Sequence, residues 1–256
     1  PEFEFLVRGT EMLRKLRDKG CPLCLPDIRP MDEKAFDAKG LYNPCVALKI
    51  EDEIVPNDIA FDENATIYVL SGPNRGGKSV ITCAIGLAQV MLQLGMYLPA
   101  ERISISPVDG IYTHFPTGAE DTIDKGRLGE ECARLSEIID CVTAHSLVLL
   151  DESLSSTGSY EASYIAAEVL SGLAHIGCRC LFSTHLHELA AEIEELDRKS
   201  RASGGVPIDT LVAGMETGGK RSFKITRAKP DGKSYARDIA QSYGLTYDAI
   251  LRRIHE

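Results

Sequence analysis

An α/β fold, with a mainly parallel sheet flanked by helices and with antiparallel additions, is what this sequence predicts. Strand-like and helix-like runs alternate through the middle of the chain. Two of the strand-like runs, residues 146–150 and 179–184, are apolar enough to be buried on both faces, and a glycine-rich turn joins one strand directly to the next helix. The chain has 256 residues, 44% of them hydrophobic and 26% charged, which suits one large globular domain with at most a short appendage. A core of that size needs no disulfide or metal staple.

Taken in order, Pro1-Glu2-Phe3 reads as a cloning scar. Residues 5–19 carry Phe5, Leu6, Met12, Leu13 and Leu16 among charges and read as a helix ending at Gly20. So abrupt a start suggests the end of a truncated helix, so residues 1–20 are expected to be an appendage and residues 21–256 the domain proper. Residues 21–65 are rich in Pro, Asp and Asn, with short extended pieces around 46–50. Residues 66–70 are apolar and β-branched, a strand, and residues 78–97 are a helix. Strands are expected at 103–106 and 110–114, then an acidic, glycine-flanked loop at 118–126, a helix at 128–144, a strand at 146–150, a helix at 160–174 and a strand at 179–184. Residues 210–215 and 222–227 flank Gly218-Gly219 and read as an antiparallel hairpin, followed by closing helices at 234–243 and 246–254.

Composition narrows the function. The net charge of −10 comes without a basic patch, so this part of a protein supplies few phosphate contacts to a nucleic acid. Residues 80–100 are uncharged and long enough to span a bilayer. They nevertheless include Thr82, Gly86, Gln89, Gln93 and Gly95, end at Pro99-Ala100 and follow the glycine-rich turn directly, so a buried helix under the sheet is the better reading and no membrane partner is expected. The 8 cysteines are scattered and no secretory signal precedes them, which points to a reduced, cytoplasmic protein. Cys21-Pro-Leu-Cys24 has no second pair at zinc-site spacing and reads as ordinary thiols.

The strongest chemical signal is Gly72-Pro73-Asn74-Arg75-Gly76-Gly77-Lys78-Ser79, which matches the phosphate-loop pattern G-x-x-x-x-G-K-S/T with a strand before it and a helix after it. Glycines let the backbone approach phosphate oxygens with no Cβ in the way, and successive N–H groups at the helix start, Val80 among them, form an anion cradle. Lys78 is expected to reach the β- and γ-phosphates of ATP and Ser79 to ligate Mg²⁺. Such a loop requires an acidic group at the end of a neighbouring strand. Leu147-Val148-Leu149-Leu150-Asp151-Glu152 provides one: Asp151 on the metal side, and Glu152 placed to polarise the attacking water. His185, just past the strand at 179–184, is the candidate γ-phosphate sensor.

With these residues together, the chain resembles the C-terminal ATPase domain of the MutS family of DNA mismatch-repair proteins. Ser71 to Ser79 match the family's T/S-G-P-N-x-G-G-K-S/T, including Pro73 and Asn74, which a general phosphate loop does not require. Leu94-Gly95-Met96-Tyr97-Leu98-Pro99-Ala100, Val55-Pro56-Asn57-Asp58, Leu41-Tyr42-Asn43-Pro44, Ser183-Thr184-His185 and Lys233-Ser234-Tyr235 with Gly244-Leu245 fall in family order, so the likeness covers about residues 20–254. The resemblance implies an ABC-type P-loop NTPase in which two domains meet head to tail across two ATPs, with Asn57 near the nucleotide base. Each site would combine residues 72–79, Asp151 and Glu152 of one chain with Gly126, Arg127 and Gly129 of the other, and DNA would be met through domains this chain lacks.

Two departures qualify it. Leu128-Gly129 stand where the family has a Ser-Thr pair that touches the partner's ATP, and Ser153-Leu154-Ser155-Ser156-Thr157 stand where it usually has I-G-R-G-T. Phe61-Asp62-Glu63 has the letters of the family's mismatch-reading F-x-E but sits in a short loop before a strand, so it is a coincidence. Two functions stay open: a competent ATPase whose parent is a nucleotide-gated DNA clamp, and a nucleotide-switched dimerisation module with negligible turnover. Another ABC-type ATPase is disfavoured because no L-S-G-G-Q stretch is present.

Overall fold

The computed structural model describes residues 2–116, 126–216, 220–229 and 243–255. Ten strands are found among them: β1 (Asp27–Ile28), β2 (Phe36–Leu41), β3 (Asn57–Phe61), β4 (Ile67–Ser71), β5 (Arg102–Ile105), β6 (Ile111–His114), β7 (Leu147–Asp151), β8 (Arg179–Ser183), β9 (Ile208–Met215) and β10 (Arg221–Arg227). The helices are α1 (Glu2–Asp18), α2 (Pro44–Lys49), α3 (Lys78–Gln93), α4 (Gly126–Cys141), α5 (Ser159–Ile176), α6 (His187–Ala202) and α7 (Tyr247–His255).

Six strands form the larger sheet in the order β10-β9-β4-β8-β7-β6. Every pairing from β9 to β6 is parallel, and only β10 runs antiparallel, on β9. Side chains alternate across this sheet. Tyr68 and Leu70 of β4 and Leu147 and Leu149 of β7 join one core with Ile81, Ala84, Ile85 and Ala88 of α3. Ile67, Val69, Val148 and Leu150 join the other with Leu135 of α4, Leu170 of α5 and Leu189 of α6. Burial on both faces explains why β4, β7 and β8 read as continuous apolar runs. The smaller sheet, β1-β5-β2-β3, adds Phe36, Phe61, Ile103 and Ile105 to the α3 core, so α3 lies between the two sheets.

The structure departs from the sequence expectation in several places. Residues 46–49 are not extended: they belong to α2, because Asn43 caps that helix by accepting from the N–H groups of Cys45 and Val46, and Pro44 occupies the first turn; only Ile50, its C-cap, is extended. Helix α1 runs from Glu2 to Asp18, so it starts earlier than the expected residue 5. Helix α3 stops at Gln93, followed by Leu94 and a left-handed Gly95, instead of reaching residue 97. Helix α6 went unrecognised because its run of Glu, Asp, Lys and Arg hides the apolar stripe of Leu189, Ile193 and Leu196. The hairpin is as expected in its strands, with Gly218-Gly219 outside the described residues, as are the loop at 118–125 and the helix expected at 234–243. Among the described residues, no helix is long and apolar enough to cross a membrane.

Candidate functional site

The parallel pairings bring the carboxyl ends of β4, β8 and β7 to one edge: Leu70 pairs with Ser183, and Ser183 with Asp151. Open α/β sheets bind ligands at this edge. The chain leaves β4 at Ser71, makes the glycine-rich turn and enters α3 at Lys78. Gly72 has φ 133, and a Cβ there would lie 2.8 Å from the Ala213 Cβ and 3.0 Å from its N on β9. A Cβ on Gly76 would lie 2.9 Å from the Pro73 carbonyl oxygen. The turn is therefore packed against β9 as tightly as backbone allows.

Lys78 is 4% exposed, and its ammonium donates to the carbonyls of Gly72 (3.1 Å) and Pro73 (3.3 Å). Burial pushes its pKa down, while Glu152 and Asp151 pull it up. Thr82, one turn on, bonds Ser183 at 2.5 Å and donates to the Lys78 carbonyl, pinning the start of α3 to the end of β8. Asp151 is 5% exposed. Burial raises its carboxyl pKa, and hydrogen bonds from Ser79 and Ser183 with the charge of Lys78 work against that, while Glu152 adds to it. Its Oδ1 is buried without any hydrogen-bond partner. An orphaned carboxylate oxygen beside a hydroxyl is the donor set a hard divalent cation takes, so the residues present fit Mg²⁺. No three His, Cys, Asp or Glu side chains converge to hold a metal by themselves among the described residues.

A cleft of about 590 Å³ opens over this edge. Its floor is Arg75, Gly76, Gly77, Lys78, Ser79 and Val80, and Glu152 and Asn57 stand in its walls. Leu41, Val46, Ile54 and Val55 add apolar lining, with Asp52 and Glu53 beside them. The structure thus brings most of the expected site together, with Gly72 and Pro73 serving through their carbonyls and Asn74 exposed at the turn. Asn57 has a second job: its amide donates to the Phe223 carbonyl at 3.1 Å and accepts from the Ile225 N–H at 2.7 Å, bolting β3 to β10. His185 is exposed just past β8 and is not among the residues lining the cleft. Gly126 and Arg127 are also exposed, at the start of α4.

Some contributors went unseen in the sequence. Phe223 sits at a left-handed φ of 55 in the irregular stretch of β10, its ring 3.6 Å from where a Gly77 Cβ would be. Asn43 donates to the Val80 carbonyl and so ties α2 to the first turn of α3. Phe223 has no local pattern, and the Asn43 bond to Val80, unlike its place in the 41–44 motif, spans 37 positions.

Fold and site together define an α/β domain with a glycine-rich strand-to-helix turn and an acidic strand end at the carboxyl edge of a largely parallel sheet. Residues 68–245 match the family model of MutS domain V. The chain belongs to the MutS family. It is 38% identical over 188 residues to the DNA mismatch repair protein Msh6 of Homo sapiens, 68% of this chain and 14% of that protein. It is 36% identical over 210 residues to the DNA mismatch repair protein MutS of Chlorobium chlorochromatii, covering 80% and 23%, and 31% identical over 239 residues to that of a Roseiflexus species, covering 90% and 21%. The chain therefore spans less than a quarter of the length of these curated relatives.

Proposed function

We propose that this domain binds ATP with Mg²⁺ on the floor of the cleft and hydrolyses it, as the nucleotide engine of a longer MutS-family protein that acts on DNA. The observation that carries this is the meeting of Lys78, Ser79 and Glu152 in one cleft, with Asp151 behind its lining, hydrogen-bonded by Ser79 and with its Oδ1 buried and unpartnered. The fold is then a P-loop NTPase of the ABC type. Residues 72–80 cradle the phosphates with backbone N–H groups, and Lys78 turns its ammonium from the loop carbonyls to the phosphate oxygens. Ser79 and Asp151 hold Mg²⁺, which when bound neutralises charge on the phosphates. Glu152 accepts a hydrogen bond from the attacking water and orients it. His185, at the end of β8 but outside the cleft lining, is the proposed γ-phosphate sensor and must turn inward once nucleotide is bound.

The site is completed by a second copy. Helix α4 starts at Gly126, so the N–H groups of Gly126 and Arg127 are among those left without intrahelical partners and can meet the other chain's ATP, with Gly129 beside them in the same turn. DNA contacts belong to the rest of the parent protein, because the domain carries a net charge of −10. A nucleotide-switched dimer with negligible turnover is the second reading, favoured by the absence of a side-chain hydroxyl at residues 126–129. ATP turnover per chain against protein concentration, in the unaltered chain and in Lys78→Ala, separates them. Turnover that rises with concentration and vanishes in Lys78→Ala supports the engine. ATP binding with flat, near-zero turnover supports the switch, and no ATP binding overturns both.

A further inference from the structure

The turn that presents Glu152 is held in an unusual backbone conformation. Glu152 has φ 48 and Leu154 φ 65, two non-glycine residues in the left-handed region within three positions. Such conformations persist only where the surroundings over-determine them. On one side the Glu152 N–H donates to the Ser183 carbonyl of β8 at 2.8 Å, and Leu154 is buried at 1% exposure. On the other side stands a contact that the proposed chemistry leaves unused. Ser153, 4% exposed, places its Oγ 2.7 Å from the Nδ1 of His114, the last residue of β6, and also reaches the His114 carbonyl at 3.4 Å. His114 is 2% exposed and its Nε2 has no partner.

The chemistry of this pair is unfavourable for mere packing. A buried imidazole and a buried hydroxyl cost more than two apolar side chains unless every polar atom is satisfied. Here one is not, whichever tautomer the ring takes: with the Ser153 hydroxyl donating to Nδ1 the orphan is an Nε2–H donor, and with Nδ1–H donating to Ser153 it is an Nε2 acceptor. What the pair supplies is direction. Ser153 lies between the two strained residues, so the His114–Ser153 bond fixes the turn from the β6 side while Ser183 fixes it from the β8 side.

We infer that His114 and Ser153 are positioning residues, a buried latch that holds the turn after β7 in the conformation that aims the Glu152 carboxylate into the cleft. The inference rests on the ATPase reading. Without the latch the turn relaxes toward ordinary backbone angles, and the carboxylate moves while the phosphate cradle on β4 and α3 stays. Displacement of a reacting group by about 1 Å costs on the order of a hundredfold in rate.

The test compares Ser153→Ala, Ser153→Thr, His114→Leu and His114→Asn with the unaltered chain. It measures affinity for a fluorescent ATP analogue, single-turnover hydrolysis at saturating ATP, and thermal midpoint. Ser153→Ala and His114→Leu are expected to lose roughly ten- to a hundredfold in hydrolysis rate with affinity held within about threefold. Ser153→Thr, which keeps the hydroxyl, and His114→Asn, which keeps a polar atom near Nδ1, are expected to recover most of the rate. Unchanged hydrolysis in Ser153→Ala overturns the latch and leaves the ATPase reading standing. Affinity, rate and midpoint falling together, with no recovery in the conservative variants, overturns it as well, since that marks general damage. An unaltered chain that binds the analogue and hydrolyses nothing overturns the ATPase reading and the latch with it.

Discussion

Replacing Gly72 with alanine strikes the point where the glycine-rich turn leaves β4. Two costs combine. A φ of 133 is comfortable only for glycine, and forcing alanine there costs about 1–3 kcal/mol. The new methyl would also stand 2.8 Å from the Ala213 Cβ, 3.0 Å from its N and 3.1 Å from its carbonyl oxygen. A paired strand cannot yield as a side chain would, so overpacking adds a further ~1 kcal/mol or more. With a total of about 3 kcal/mol, and each kcal/mol worth about 2–4 °C in a domain of this size, the thermal midpoint should fall by roughly 6–12 °C. The Gly72 carbonyl accepts from Lys78, so the same variant should also lose most of the stabilisation that ATP with Mg²⁺ confers under the proposed function. The assay is thermal unfolding followed by circular dichroism, with and without nucleotide. Gly95→Ala is the control: its φ of 68 is left-handed but nothing lies within 4 Å of the new Cβ, so it should cost only about 1–2 kcal/mol. A Gly72→Ala midpoint no lower than that of Gly95→Ala would refute the claim that the loop is pinned against β9.

Under the proposed function, Glu152→Gln should keep ATP affinity within about threefold and cut phosphate release by about a hundredfold or more, since it would remove the group that orients water and leave cradle and metal side intact; undiminished release rejects the assignment. Asn57→Ala strips the acceptor from the buried Ile225 N–H and the donor from the Phe223 carbonyl, so a loss of about 2–3 kcal/mol is expected in urea unfolding, and a loss below about 0.5 kcal/mol would mean that β3 and β10 are held otherwise. Burial, with the nearby charge of Arg134, pushes His114 down to about 4 from its ordinary 6.5. The unfolded chain takes up that proton as pH falls through 6.5 and the folded chain does so only near 4, so stability falls across this window, by about 3 kcal/mol for this group at most. Urea midpoints at pH 7 and 4.5 should therefore separate the unaltered chain from His114→Asn, with the smaller drop in the variant; equal drops would show that His114 does not titrate this way.

How much of the molecule was legible depends on how local its causes are. The glycine-rich turn is legible in nine consecutive residues because its glycines, lysine and serine form one contiguous pattern, and Asp151-Glu152 is legible from the apolar strand that precedes it. The parallel sheet follows from runs buried on both faces, a pattern that leaves little room for polar residues. Helix α2 was misread because a six-residue helix depends on its Asn43 cap more than on periodicity, and α6 was missed because its charges outnumber its apolar contacts.

The sequence by itself therefore determined the class of fold, the family and the chemical groups of the candidate site, since all of these reside in short contiguous patterns. Only the tertiary structure decided how the groups meet. It set Thr82 on Ser183, spent the polar atoms of Asn57 on β10, placed Phe223 over the loop, and bound His114 to Ser153 behind Glu152. These contacts join residues from 39 to 168 positions apart, and the hydrogen-bond partner of a buried polar atom at that range is fixed by strand order and register, which no local pattern encodes.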